Sequence, residues 1–231
     1  MLYVLTLFLL IAFYVVAIFG MRYLRNTALW NALFTISIFT LYLCVVIRSY
    51  LADGFYDWNF QNTLPTANVS PFMFTLVVIM HLFPKKIKKN FYLLISLLSV
   101  GMLISPALGC LYNASINYKF HLHFVADFLA HILISLFGVY LVKTGQVELS
   151  KRNCIVSSLI IIGSAVGMMI LNVIFDTAFF GLSLNGKHSI YNTVLTDNSY
   201  LSAALYFIGL SLVLGMGYVY SRIIAKRKNN G

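Results

Sequence analysis

Asp127 stands in the run HFVADFLAH, four residues after His123 and four before His131. On a helix, residues at i, i+4 and i+8 form one stripe. A carboxylate between two imidazoles on such a stripe can hold a base in one tautomer, relay a proton or share a metal ion. With a helix beginning at Leu122, Asp127 lies about 7–8 Å and His131 about 13 Å along the axis. His123 and His131 are then about 12 Å apart, so all three cannot hold one ion. A metal would need two of them and a donor from elsewhere, such as Asp176. HExxH is absent and the single Glu is Glu148. No metal centre and no cofactor are expected.

A second polar pair, Asn172 and Asp176, is also spaced by four, and Asn68 and Ser70 stand where a third apolar run begins. A short connection between the fifth and sixth apolar runs predicts that these two helices touch. One outward-opening pocket would then collect Asn68, Ser70, His123, Asp127, His131, Asn172 and Asp176. In the competing reading, the same groups only hydrogen-bond one another and hold helices together.

These residues must be positioned by membrane helices. The 231-residue chain is 61% apolar, 16% aromatic and 10% charged, with mean hydropathy +0.88. Soluble domains are nearer half apolar and a quarter charged, so neither a water-soluble globule nor a disordered chain fits. Seven runs approach the roughly 20 apolar residues that a spanning helix needs. They cover residues 2–20, 28–50, 70–83, 91–112, 122–142, 154–175 and 201–224. The expected fold is all-α, one polytopic domain over 1–231, a bundle of seven transmembrane helices. The first run lacks basic residues ahead of it, whereas Arg22 and Arg25 follow it, which reads as a retained helix rather than a cleaved signal.

Of 16 Lys and Arg, all but Arg48, Lys119 and Lys187 fall on one side of this threading. An excess of Lys and Arg marks the cytoplasmic side. The N-terminus is thus expected outside and the C-terminus in the cytoplasm. The net charge of +10 sits in short clusters between apolar runs, such as KKIKK after Pro84. That pattern fits anionic lipid headgroups at the cytoplasmic face and not nucleic acid. A multi-pass protein of the cell membrane, with lipids as partners, is the expectation. The aromatic-rich segments 51–68 and 176–200 are expected to lie over the outer mouth of the bundle. Pro106 should bend or end the fourth span. Gly163 with Gly167, and Gly215 with Gly217, predict close helix contacts. Cys44, Cys110 and Cys154 form no CxxC motif and read as small apolar fillers.

Several pieces in order are similar to a known family. Leu64–Pro65 opens the third span; a basic turn leads into KKNFYLLISLLSVGMLISP with Pro106 near its end; His131 is central in the fifth span with Tyr140 nine residues on; LNVIFDTAFFGL (171–182) closes the series. Together these resemble the YwaF-type bacterial integral membrane proteins and, distantly, the eukaryotic multipass acyltransferases and related lipid-ester hydrolases. The resemblance covers about half the chain. It implies an intramembrane Cys–His pair that acts on lipid acyl chains through an acyl-enzyme. His131 stands at the matching His, and Asn172 and Thr177 match the last segment, where Ala178 and Phe179 replace Asn and Tyr. The Cys is replaced: PTANVS offers Val69 or Ser70, and Thr66 or Ala67 replaces the preceding His. Ser70 is the candidate nucleophile in its stead, with His131 as base and Asp127 stabilising the imidazolium.

The expected function is that of a YwaF-like multi-pass membrane protein with an outward-facing His/Asp pocket, a variant of lipid acyl transfer or ester hydrolysis. Two other classes compete. One is a proton-coupled transporter or permease using Asp127 and the histidines. The other is a non-catalytic structural or immunity-type membrane protein.

Overall fold

A computed structural model describes residues 12, 15, 19–24, 26–54, 69–101, 122–175 and 198–229. Six α-helices run through them: α1 (Thr27–Asp53), α2 (Val69–Ile79), α3 (Lys85–Gly101), α4 (Leu122–Lys143), α5 (Lys151–Phe175) and α6 (Ser199–Asn229). No strand occurs among the described residues. Four helices are long and apolar enough to cross a bilayer, over Thr27–Ala52, Val125–Lys143, Lys151–Phe175 and Tyr200–Lys226. The apolar stretch Val69–Leu82 is shorter. It is completed by a single 3₁₀ turn, Met80–Leu82, appended to α2.

The helix limits follow from local chemistry. The Asn26 side chain accepts from the Leu29 N–H at 3.1 Å and caps α1. Asn198 accepts from the N–H groups of Tyr200 and Leu201 and caps α6. The hydroxyl of Ser150 accepts from the Asn153 N–H at the start of α5. Phe83 is extended because Pro84 follows it, and Pro84 stops the third apolar run, as its sequence requires. Helix α4 ends in a Schellman motif. Gln146 N–H returns to the Leu141 carbonyl and Gly145 N–H to Val142, with Gly145 at φ +74 in the left-handed region that glycine occupies without strain.

Helix α4 is the centre of the bundle. Some 67% of its most apolar stretch is buried, against 22% in α1 and in α5 and 33% in α6. It packs on α1, α3 and α6, while α3 packs most extensively on α6. Two close approaches set these distances. A methyl on Gly138 of α4 would strike the Ser99 hydroxyl of α3, and one on Gly217 of α6 would strike the Leu97 carbonyl of α3. In lipid such backbone approach supplies the packing that the hydrophobic effect supplies in water. The outer faces carry apolar side chains outward, among them Leu159 and Ile174 of α5, Leu212 of α6 and Ile36 of α1. That is the surface a hydrocarbon environment accepts.

Several expectations need revision. Among the described residues the Gly163–Gly167 step meets no other helix; nothing described lies within 4 Å of a methyl at either position. Helix α5 turns Cys154, Ser157, Ile161, Ala165 and Asn172 inward instead, so Ser157 and Ala165 are the small residues of the contact. Helix α5 lies against α3 and α6 rather than along α4, despite the short connection between α4 and α5. The fourth run begins earlier than expected, because KKIKK is itself the first turn of α3. The first run as a spanning helix, Pro106, Cys110 and the aromatic segments 55–68 and 176–197 lie outside the described residues.

The basic groups gather at one end. The start of α1, the end of α2, the start of α3 and the 144–150 turn meet there through side-chain bonds from Asn31 to Gln146, Thr35 to His81 and Lys88 to His81. Arg222 near the end of α6 reaches the Leu149 carbonyl at 3.4 Å in the same region.

Candidate functional site

The central helix carries the polar stripe. His131 Nδ1 lies 2.8 Å from the backbone carbonyl of Asp127 and 3.3 Å from its carboxylate. Both neighbours are acceptors, so Nδ1 carries the hydrogen and donates it. In the neutral ring the lone pair is then on Nε2. The His131 side chain is 22% exposed and that of Asp127 45%, so the carboxylate reaches the open side while the imidazole turns inward. One turn further, the Ser135 hydroxyl donates to the His131 carbonyl at 2.9 Å. Of the expected stripe the Asp127–His131 step is present, Ser135 continues it by one turn, and the His123 side chain lies outside the described residues.

The imidazole is held from the other side by α2. Phe74 meets it edge to face, with ring centroids 5.1 Å apart and planes at 80°. Phe74 is 2% exposed and touches the Tyr42 ring of α1 at 5.4 Å. The Tyr42 phenol in turn hydrogen-bonds the Thr75 hydroxyl. Ser70 is half-buried at the start of α2. It lies four residues before Phe74, hence on the same helical face and about 6 Å nearer the helix start. The opposite face of α2, with Val69 and Phe72, lines a narrow seam against Leu98, Ile161, Ala165 and Leu210, with about 10 Å³ of free space. That is roughly the volume of a single water probe. Helix α2 is thus a wedge with Phe74 toward the histidine and Phe72 toward α5 and α6.

Of the residues expected to share a pocket, the structure brings together Asp127 and His131 and places Ser70 on the helix face that contacts His131. Asn172 is 1% exposed but sits on α5, which does not run along α4. His123 falls in the first turn of α4, and its side chain lies outside the described residues, as do Asn68 and Asp176. Among the described residues no three His, Cys, Asp or Glu side chains converge where they could hold a metal ion. Phe74 and Tyr42 were not singled out in the sequence. The available signal was the i, i+4 relation of Phe74 to Ser70, which an apolar run does not emphasise.

A second polar cluster occupies the basic end. The Lys88 ammonium donates to His81 Nδ1 at 2.9 Å, and His81 Nε2 then donates to the Thr35 hydroxyl at 2.9 Å. Lys88 also stands 5.7 Å from the centroid of the Tyr92 ring. Burial holds the Lys88 amine below the ordinary lysine range. Asn31, 8% exposed, donates to the Tyr92 hydroxyl at 3.1 Å and to the Gln146 side-chain carbonyl at 2.6 Å.

A family model described as the TMEM164 family matches residues 1–220, so the chain belongs to the TMEM164 family. No curated protein and no solved structure matches it.

Proposed function

We propose that this member of the TMEM164 family is a membrane-embedded enzyme of lipid acyl transfer or lipid-ester hydrolysis, in which Asp127 and His131 form the acid–base pair and Ser70 the nucleophile. The observation that carries the reading is the fixed tautomer of His131. Its Nδ1–H is committed to Asp127, so Nε2 is the basic nitrogen and lies on the side of the ring away from the carboxylate. The YwaF-type resemblance and the likeness to multipass acyltransferases support a histidine in this role.

His131 Nε2 takes the Ser70 hydroxyl proton while that oxygen bonds to the ester carbonyl carbon of a lipid. The tetrahedral adduct collapses, the ester C–O bond breaks, and the departing alcohol receives the proton from His131. Water or the hydroxyl of a second lipid then attacks the acyl-serine, with His131 again removing and returning the proton. Asp127 stabilises the imidazolium between these transfers. A protein of the cell membrane, with its basic end in the cytoplasm, would present this pair toward the outer leaflet.

The test is lipid mass spectrometry of membranes with and without the full chain, with a search for an acyl adduct on the Ser70 peptide. Turnover that depends on His131 and an adduct that vanishes in Ser70→Ala support the reading. Unchanged turnover in His131→Ala removes it.

A further inference from the structure

Lys88 has an unusual set of neighbours. It is half-buried at the basic end, where one of its three N–H donors is fixed on a neutral imidazole and its charge lies over an aromatic face. Among the described residues no carboxylate lies within ion-pair reach of it; the Asp127 carboxylate is taken by His131 on a different helix, nearer the other end. Glu148 is the only acid that the charge-based threading puts on this side, and it is exposed in the 144–150 turn. A partly desolvated ammonium without a counter-charge is costly, and the remaining donors need an acceptor. Lys85 and Lys89 are exposed and stand three residues before and one residue after Lys88, so all three crowd one side of the first turns of α3. His81, itself bonded to Thr35, holds one side of the Lys88 head.

We propose that Lys88, backed by His81 and Tyr92 and flanked by Lys85 and Lys89, binds the phosphate of an anionic phospholipid in the leaflet at the basic end. The bound phosphate oxygens accept the two free N–H donors of Lys88, and Lys85 and Lys89 neutralise the rest of its charge. Tyr92 is tied through Asn31 to Gln146, so the ligand also joins the start of α3 to the turn after α4. The site is separate from the Asp127–His131 pair and stands or falls independently of the acyl-transfer reading.

The full chain is reconstituted in phosphatidylcholine vesicles and in the same vesicles doped with phosphatidic acid, and its thermal unfolding and retained lipid are measured. Doping should stabilise the wild-type chain and K88R, and retained phosphatidic acid should appear in mass spectra of both. K88Q should require about fivefold more phosphatidic acid for the same effect, the value of one lysine at an anionic surface. K226Q, an exposed lysine on α6, should behave as wild type. Because Lys85 and Lys89 are exposed, K85Q/K89Q will fold even if K88Q does not, and it should lose more affinity than K151Q/K226Q. Equal losses in the two double variants, or in K88Q and K226Q, would mean a diffuse field and overturn the site. Full stabilisation by inorganic phosphate in pure phosphatidylcholine vesicles would overturn the assignment to a lipid.

Discussion

Phe74 and His131 meet edge to face at a centroid separation of 5.1 Å, so the short helix α2 touches the central helix at the imidazole itself. Any displacement of α2 therefore moves a wall of the candidate site. Edge-to-face pairs are worth about 0.5–1.5 kcal/mol beyond the area they cover. Phe74→Leu should keep the fold while loosening the ring. The expected result is lipid turnover reduced more than thermal stability; equal retention of both would show that the contact does not position the base.

The Asp127–His131 pair makes a graded prediction. His131→Ala should lower turnover by about 10²–10⁴-fold, the usual share of a general base. Asp127→Asn should lower it less, since the Asp127 backbone carbonyl at 2.8 Å still orients Nδ1–H. Initial rates of lipid-ester turnover by the two purified variants check the order, and a larger effect of Asp127→Asn would reverse the roles assigned here.

Gly138 and Ser99 should be coupled. Gly138→Ala drives a methyl into the Ser99 hydroxyl, an overpacking that typically costs about 1–3 kcal/mol. Removing that hydroxyl with Ser99→Ala should recover much of the loss. A double-mutant cycle on thermal unfolding measures the coupling, expected at about 0.5–3 kcal/mol for residues in contact.

The glycines of α5 and α6 should separate cleanly. Gly217→Ala meets a backbone carbonyl that has nowhere to go, and should destabilise by about 1–3 kcal/mol with no side-chain change in α3 able to relieve it. Gly163→Ala and Gly167→Ala enter open space and should stay within about 0.5 kcal/mol of wild type. Unfolding temperatures in one detergent decide it.

Asn31 ties Tyr92 to Gln146 from a nearly closed position. Asn31→Ala strands the Tyr92 hydroxyl and the Gln146 side-chain carbonyl, while the Gln146 amide still donates to Thr144, at an expected loss of about 1–3 kcal/mol. Faster proteolysis of the 144–150 turn in the variant, compared with wild type, checks that this bond holds the turn.

How far the sequence reached depended on how local each signal was. The helices over 28–50, 122–142 and 154–175 and the stop at Pro84 were legible, because span length and proline geometry are local properties. The Asp127–His131 rung was legible for the same reason: both groups lie on one helix, four residues apart. Which helices touch was not. The short 144–150 connection pointed to α4 beside α5, yet Ser157 and Ala165 let α5 settle on α3 and α6. The glycine pair at 163 and 167 has the spacing of a contact motif but lies on the opposite side of α5 from Ile161 and Ala165. Phe74 escaped notice because one aromatic in an apolar run carries no mark of its partner, and the His81–Lys88 bond joins a span to the basic stretch after it, across a proline.

Helix α3 finds its largest partner in α6, which follows it in the chain only after α4 and α5. Until then α3 must wait with the backbone at Leu97 unsheltered from acyl chains, even though α4 already covers Ser96 and Ser99. Biogenesis of this protein is therefore gated at α6: a chain cut before Ser199 should linger with the insertion machinery and be cleared by quality-control proteases, however well its earlier helices enter the bilayer.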